Sequence, residues 1–247
     1  MDVTHSVEDG MAIATVNGVR GTLRPIDCDI LIAMASKIPK GGVYAETGSY
    51  LGCSATLVAL VSPQDAMVYC HDVWEDTLSE ATEPPPREEG YFFRFYQNIR
   101  RQGLSGKVIP IRGDSSWSLW IHAETSIDLA FVDGDHSYQG VKADLEALWD
   151  KMKPGACILC HDCGQGSETL RGLKDFAMSR GVTEMSEFHG TTMKAICKDE
   201  AWKNYVYEQH GGGGNSSDRN ACSPRGVCIP GLAGSQGSVD RPSGLPV

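Results

Sequence analysis

Two short polar runs in this chain carry residue types able to hold a metal ion or move a proton. Each follows an apolar segment of strand length: Asp133-Gly134-Asp135-His136 after Ile127–Val132, and His161-Asp162 after Ala156–Cys160. Carboxylate oxygens and imidazole nitrogens bind divalent cations, and a histidine that titrates near neutrality is the commonest proton acceptor. Between the runs, Val141, Leu145, Leu148, Trp149 and Met152 recur at helical spacing, with Pro154-Gly155 read as the stop. Strand, helix and strand in that order predict a parallel pair, so both polar tips reach one carboxyl edge, where open α/β sheets bind ligands. The blander alternative is that the acids cap the helix that follows, because carboxylates suit its amino end. For Asp135 that alternative is as good as a functional one; Asp133, with a second polar tip expected beside it, is read as a metal ligand.

The rest of the chain supplies the elements that position these tips. Val43–Ala45 is read as a strand, Glu46–Gly52 as a glycine-bearing turn and Ser54–Val61 as an apolar helix. Glycines there let backbone amides approach a ligand. The E-x-G-x-x-x-G spacing differs from the pyrophosphate-binding G-x-G-x-x-G, which counts against a nicotinamide-dependent oxidoreductase. A second strand, Met67–Cys70, ends in His71-Asp72-Val73-Trp74, and Asp72 stands 24 residues beyond Gly48, where an acid accepts hydrogen bonds from ribose hydroxyls. Val108–Ile111 ends in Arg112-Gly113-Asp114-Ser115: Asp114 is placed to meet an adenine amino group, and Ser115 either caps a helix over 116–124 or touches the base. Trp117 and Trp120 are read as pocket wall or core. Helices are expected over 25–38 and 91–102 and around Leu170–Phe176, and strands over 185–189 and 193–198 close the sheet as an antiparallel hairpin. The expected fold is α/β: a doubly wound, Rossmann-like, mostly parallel seven-stranded sheet with a C-terminal antiparallel hairpin and helices on both faces.

The chain has 247 residues, with 22 Lys and Arg against 32 Asp and Glu, a net charge of −10 that argues against nucleic acid or an anionic membrane as partner. No apolar run is long enough to span a bilayer. Of nine cysteines, Cys53, Cys70, Cys157, Cys160 and Cys197 sit in or beside apolar strand-like runs and are read as free thiols of a cytoplasmic protein. Cys157-x-x-Cys160-x-x-Cys163 is not read as a metal site, since strand residues three apart face opposite ways. Residues 1–24 are read as an N-terminal extension with at most a short strand at Met11–Val16, 25–205 as the catalytic domain and 206–247 as a disordered tail. From Gly211 onward 9 Gly, 6 Ser and 4 Pro favour open chain over packing.

Taken together, the glycine turn, the acidic strand tip, Gly113-Asp114-Ser115, the run FVDGDHSYQGVKADL and the His161-Asp162 tip resemble the class I S-adenosylmethionine-dependent methyltransferases. Within these the chain is similar to small-molecule O-methyltransferases of the macrocin and catechol types, over roughly residues 25–200. The resemblance implies that Glu46, Gly48, Ser49 and Gly52 meet the methionine part of the cofactor and that Asp72, with Trp74 beside it, meets the ribose. It places Asp114 and Ser115 at the adenine and Asp133 at the edge of the cofactor. It further implies a divalent ion on Asp133, His161 and Asp162, with His136 as catalytic base and Asp135 orienting it or binding substrate. Magnesium or manganese is the expected ion. His161 departs from the usual oxygen ligand, which favours a transition metal or a histidine turned away from the ion. Thr47 departs from the usual aliphatic residue. The reaction implied is in-line methyl transfer to a hydroxyl of a small molecule. Alternatives are a metal-independent enzyme using His136 alone and a non-catalytic relative. The acceptor and a homo-oligomeric state stay open.

Overall fold

The computed structural model describes residues 1–8, 10–75 and 90–198. The segment 76–89 with its three prolines, the tail, and Cys222 and Cys228 lie outside these residues. Seven strands form the main sheet: β4 (Val43–Thr47), β5 (Met67–Asp72), β6 (Val108–Arg112), β7 (Ile127–Val132), β8 (Met152–Cys160), β9 (Ser186–Glu187) and β10 (Lys194–Cys197). Their order is β6-β5-β4-β7-β8-β10-β9. The first five run parallel, β10 lies antiparallel to β8, and β9 antiparallel to β10. The order reverses at β4, which puts the first crossover and the later ones on opposite sides of one strand. A crevice opens there at the carboxyl edge.

The sheet is buried on both faces, and its strands alternate between two cores. Tyr44, Leu129, Phe131, Cys157, Leu159 and Ala195 belong to one, and Ala45, Ala130, Val132, Ile158, Cys160 and Ile196 to the other. Helices α1 (Pro25–Ala35), α2 (Cys53–Val61) and α3 (Tyr91–Arg101) contribute to the first core. Helices α5 (Tyr138–Trp149) and α6 (Glu168–Ser179) contribute to the second. The expected 116–124 helix is only a turn of helix, α4 (Ser115–Ser118), followed by a 3-10 turn at Leu119–Ile121.

Four differences from the sequence-based reading have physical reasons. First, Pro154-Gly155 does not end the helix: α5 stops at Trp149, and β8 runs through the dipeptide at a register irregularity opposite Ile127–Leu129, with Gly155 at φ +80°. Second, residues 1–24 hold a three-stranded antiparallel sheet, β1 (Val3–Glu8), β2 (Met11–Val16) and β3 (Val19–Gly21). It packs Ala14, Val16 and Val19 into the first core. Third, Cys157 and Cys197 are directly paired across β8 and β10 and joined by a disulfide, whereas Cys28, Cys53, Cys70, Cys160 and Cys163 are free and buried. Fourth, Trp117 and Trp120 are both exposed and neither is core. No helix among the described residues is long and apolar enough to cross a membrane.

Candidate functional site

Backbone hydrogen bonding continues one step past the strand ends and aligns the polar tips. Gly48 N–H donates to His71 O (2.9 Å), Asp133 N–H to Thr47 O (3.1 Å) and His161 N–H to Val132 O (3.0 Å). Gly48 is at φ +80°, and a β-carbon there would lie 2.0 Å from Asp133 O, so the tips of β4 and β7 approach only because this residue has no side chain. Above them opens a cleft of about 1100 Å³. Its volume exceeds the range of roughly 300–1,000 Å³ usual for one small ligand.

At one end of the cleft stand Gly48, Ser49, Asp72, Asp114 and Ser115. Asp72 Oδ2 accepts the Tyr50 N–H and Oδ1 the Trp74 N–H, each at 2.7 Å, so the carboxylate is fixed in orientation. Burial raises its pKa and these backbone donors offset part of the rise. Ser49 also lines the cleft, its buried hydroxyl turned toward Glu46 behind the turn, where it helps hold the Glu46 carboxyl pKa down against burial. Asp114 caps α4 by accepting from Ser116 N–H at 2.8 Å, and the Ser116 hydroxyl holds its pKa down.

Three expected cofactor contacts sit elsewhere. Glu46 is buried behind the turn, accepting from the Tyr44 hydroxyl at 2.9 Å. Burial raises its carboxyl pKa, partly offset by surrounding hydroxyls and a thiol. Gly52, at φ +87°, turns its α-carbon toward Phe95 and Ile99. Trp74 is buried against Phe92 and Phe95, its indole N–H donating to Tyr50 O at 2.8 Å. None of the three is among the cleft's lining residues; they hold the turn from behind.

Asp144 was not anticipated from the sequence. Its carboxylate, buried on α5, accepts from Thr47 Oγ1 at 2.7 Å and from Ser115 Oγ, tying the β4 tip to the start of α4. Burial pushes its pKa up to about 6, against these two donors. The bridge accounts for Thr47, since an aliphatic residue there would leave a buried carboxylate oxygen unpaired. The signal was present: Asp144 precedes Leu145 and lies three residues after Val141, on the stripe otherwise reserved for apolar residues.

At the β7 and β8 tips, Asp133, His136 and Asp162 each offer one ligand atom, all within 4.8 Å of one another. His136 Nε2 is 3.5 Å from Asp133 Oδ1 and 3.7 Å from Asp162 Oδ2. Two oxygens and one nitrogen converging at that spacing fit a divalent ion. Asp162 holds φ +51°, a left-handed conformation uncommon outside glycine, which aims its side chain at the cluster. His161 stands behind this trio and is nearly buried. Its Nδ1 lies 3.1 Å from Asp133 Oδ1 and 3.4 Å from Asp162 Oδ2, while Nε2 is 3.2 Å from Asp27 Oδ2. Burial alone would lower its pKa, but Asp133, Asp162 and Asp27 together raise it to about 12. Asp27, fully buried on α1, also accepts from Arg24 N–H at 2.8 Å and from Thr191 Oγ1, which pins the start of α1 to the β8 tip. His161 thus engages Asp27 through Nε2 and presents Nδ1 to the same two carboxylates that face His136 Nε2, and the mutually close set is Asp133, His136 and Asp162. Asp135 accepts from Ser137 N–H at 2.9 Å and Ser137 Oγ at 2.8 Å, which is the helix-entry role the sequence left open, although it also lines the cleft.

Comparisons with known proteins bear on the fold that carries this cleft. A sequence family described as a methyltransferase domain matches residues 45–163. No curated protein sequence matches the chain. Among solved structures, the O-methyltransferase from Bacillus cereus in complex with S-adenosylhomocysteine is similar at 18% identity and TM-score 0.51, over 71% of this chain and 82% of that one. The O-methyltransferase TomG from Streptomyces achromogenes, in complex with S-adenosylmethionine, aligns at 14% identity and TM-score 0.54, over 72% and 82%. The O-methyltransferase NovP aligns at 14% identity and TM-score 0.53, over 69% and 78%. At these identities the likeness is one of fold. Strand order, reversal point and family match thus coincide on the same segment: residues 45–163, which hold the parallel strands and the reversal at β4, are similar to a methyltransferase domain.

Proposed function

We propose that the protein transfers a methyl group from S-adenosylmethionine to a hydroxyl oxygen of a small molecule, assisted by a divalent ion. The observation that carries the proposal is the convergence of Asp133, His136 and Asp162 beside the glycine turn, in one cleft with Asp72 and Ser49. In this reading Asp72, held by two backbone amides, receives the ribose hydroxyls, the backbone at Gly48 and Ser49 receives the methionine part, and Asp114 and Ser115 flank the adenine. Asp133, His136 and Asp162 hold the ion, and the imidazole nitrogen makes manganese or another transition metal a better fit than magnesium. When bound, the ion supplies Lewis-acid activation of the attacking hydroxyl and fixes its aim. His161 and Asp27 keep the two carboxylates oriented. The TomG and Bacillus cereus complexes support the cofactor assignment, each holding S-adenosylmethionine or its product on the same fold.

A second reading is favoured by the position of His136 Nε2 between two carboxylates. There His136 takes the acceptor's proton itself, and the imidazolium so formed gains carboxylate partners. Calorimetry with S-adenosylhomocysteine, with and without manganese, separates the outcomes. Asp133→Ala should keep the nucleoside affinity and lose the manganese heat. No nucleoside binding would end the proposal; nucleoside binding with turnover unaffected by a chelator would leave only the second reading. For location we propose the cytoplasm, on the five free buried thiols Cys28, Cys53, Cys70, Cys160 and Cys163. Recovery with cytosolic markers on cell fractionation is the expected result, and recovery with secreted or envelope material would instead favour the oxidising compartment that suits the Cys157–Cys197 disulfide.

A further inference from the structure

The cleft is larger than one ligand needs, and past the glycine turn, where Gly21 packs against Cys53, it is walled by the N-terminal sheet and the residues that follow it. Directly opposed residues of β1 and β2 share a face, and the pairs Val3↔Val16, His5↔Ala14 and Val7↔Ala12 lie along one side of the hairpin. At one end that face is core, with Val16 and Ala14 fully buried. At the other end it passes beyond the core and lines the cleft with Val7, which is 74% exposed, and Ala12. An apolar roof thus continues an apolar core over open space.

The charges of the cleft are divided as well. Asp72, Asp114, Asp133, Asp135 and Asp162 line it, and the only arginines among its lining residues are Arg20 and Arg24, both on the N-terminal side. Arg20 is neutralised by Glu8. The Arg24 guanidinium makes no ion pair among the described residues, although its charge is felt by Asp162. Its backbone is anchored: Arg24 N–H donates to Asp27 Oδ2, and Asp27 is joined to His161. The Arg24 backbone is therefore held next to the cluster at the β8 tip, and its exposed side chain lines the cleft on the side away from the ribose acid. S-adenosylmethionine carries a sulfonium and an ammonium group against one carboxylate, a net positive charge that suits the acidic end. A fall in S-adenosylhomocysteine affinity in Arg24→Gln would assign Arg24 to that carboxylate and overturn the inference below.

We propose that the N-terminal wall is the acceptor site, and that it takes a hydroxylated molecule with an apolar body, seated under Val7 and Ala12, and an anionic substituent that pairs with Arg24. The inference rests on the methyl-transfer reading above and assigns the substrate class to that same cleft. A carboxylate gives the shortest reach for a bidentate pair with a guanidinium. The atoms that react stay at the cluster, so Arg24 selects and orients the acceptor without entering the methyl transfer.

The test uses two vicinal diols that differ only in charge, 3,4-dihydroxybenzoate and catechol, titrated by calorimetry into the full-length protein holding S-adenosylhomocysteine and manganese. The wild type should bind the carboxylate at least about tenfold more tightly, as one charge-assisted pair implies. Arg24→Gln should bring the two affinities together while leaving the S-adenosylhomocysteine affinity and the melting temperature unchanged; Arg24→Lys should restore part of the preference. Val7→Asp should weaken both diols. Equal affinities in the wild type, a preference that survives Arg24→Gln, or no binding of either diol to a complex that does hold the nucleoside would overturn the inference and leave the methyl-transfer reading standing. Failure to bind the nucleoside at all would remove both.

Discussion

A methyl group on Gly48 would meet the Asp133 carbonyl oxygen at 2.0 Å, and the φ of +80° disfavours any L-residue there, so neither strand tip can yield without breaking the ladder that aligns the site. Gly48→Ala is expected to fold but to lose at least about tenfold in S-adenosylhomocysteine affinity by calorimetry. Undiminished affinity would show that the close approach is incidental. Asp144 makes a different kind of prediction. Its pKa of about 6, raised by burial, means that the folded chain holds this proton more tightly than the unfolded chain does. The stability it contributes is greatest below the unfolded value of 3.8 and is lost as pH rises through 6. Relative to Asp144→Asn, the wild type should therefore lose up to about 3 kcal/mol between pH 4 and pH 7, measured by urea unfolding. A difference that does not change with pH would sink that account. At this scale the strand-tip acids were legible because a polar residue that ends an apolar run announces an edge. Asp27 and Asp144 were not, because a carboxylate on the buried stripe of a helix looks like an interruption of the pattern until its partners from distant segments are known.

The main-sheet elements were read well where apolar runs were bounded by turn residues, as at Ile127–Val132, and poorly where local signals conflicted. Pro154-Gly155 has the composition of a stop, yet β8 absorbs it because neighbouring β7 and β10 supply the pairing that the dipeptide itself lacks. The N-terminal sheet was missed although its signals were local: Asp9-Gly10 and Asn17-Gly18 each join two strand-like runs at the two-residue spacing of a tight hairpin. Asn17 and Gly18 both take positive φ, as that turn requires. The disulfide between Cys157 and Cys197 was invisible for another reason, since pairing depends on a register between segments 40 residues apart. A loop of that size implies about 3–4 kcal/mol of stabilisation. Reductant should lower the melting temperature by about 10 °C by calorimetry, and an unchanged melting temperature with the pair already alkylatable would mean that the bond is not formed in solution.

For the molecule as a whole, residues 1–21 are part of the core. Ala14, Val16 and Val19 are essentially inaccessible to solvent, and two buried valines alone account for about 3–6 kcal/mol against a typical total of roughly 5–15 kcal/mol. A chain beginning at Thr22 should be insoluble or unfolded by circular dichroism; a cooperative melt near the full-length value would return these strands to the status of an extension. One consequence of the aligned strand tips concerns distance. Asp72, Gly48, Asp133 and Asp162 sit at the ends of β5, β4, β7 and β8, four consecutive neighbours in the sheet. Three strand-to-strand steps span about 14 Å. The separation between the two extremes of the crevice is thus gauged by peptide hydrogen bonds, which no side-chain replacement can stretch. Substitutions can change what is gripped at either end, but the length of molecule that fits between is set by the backbone.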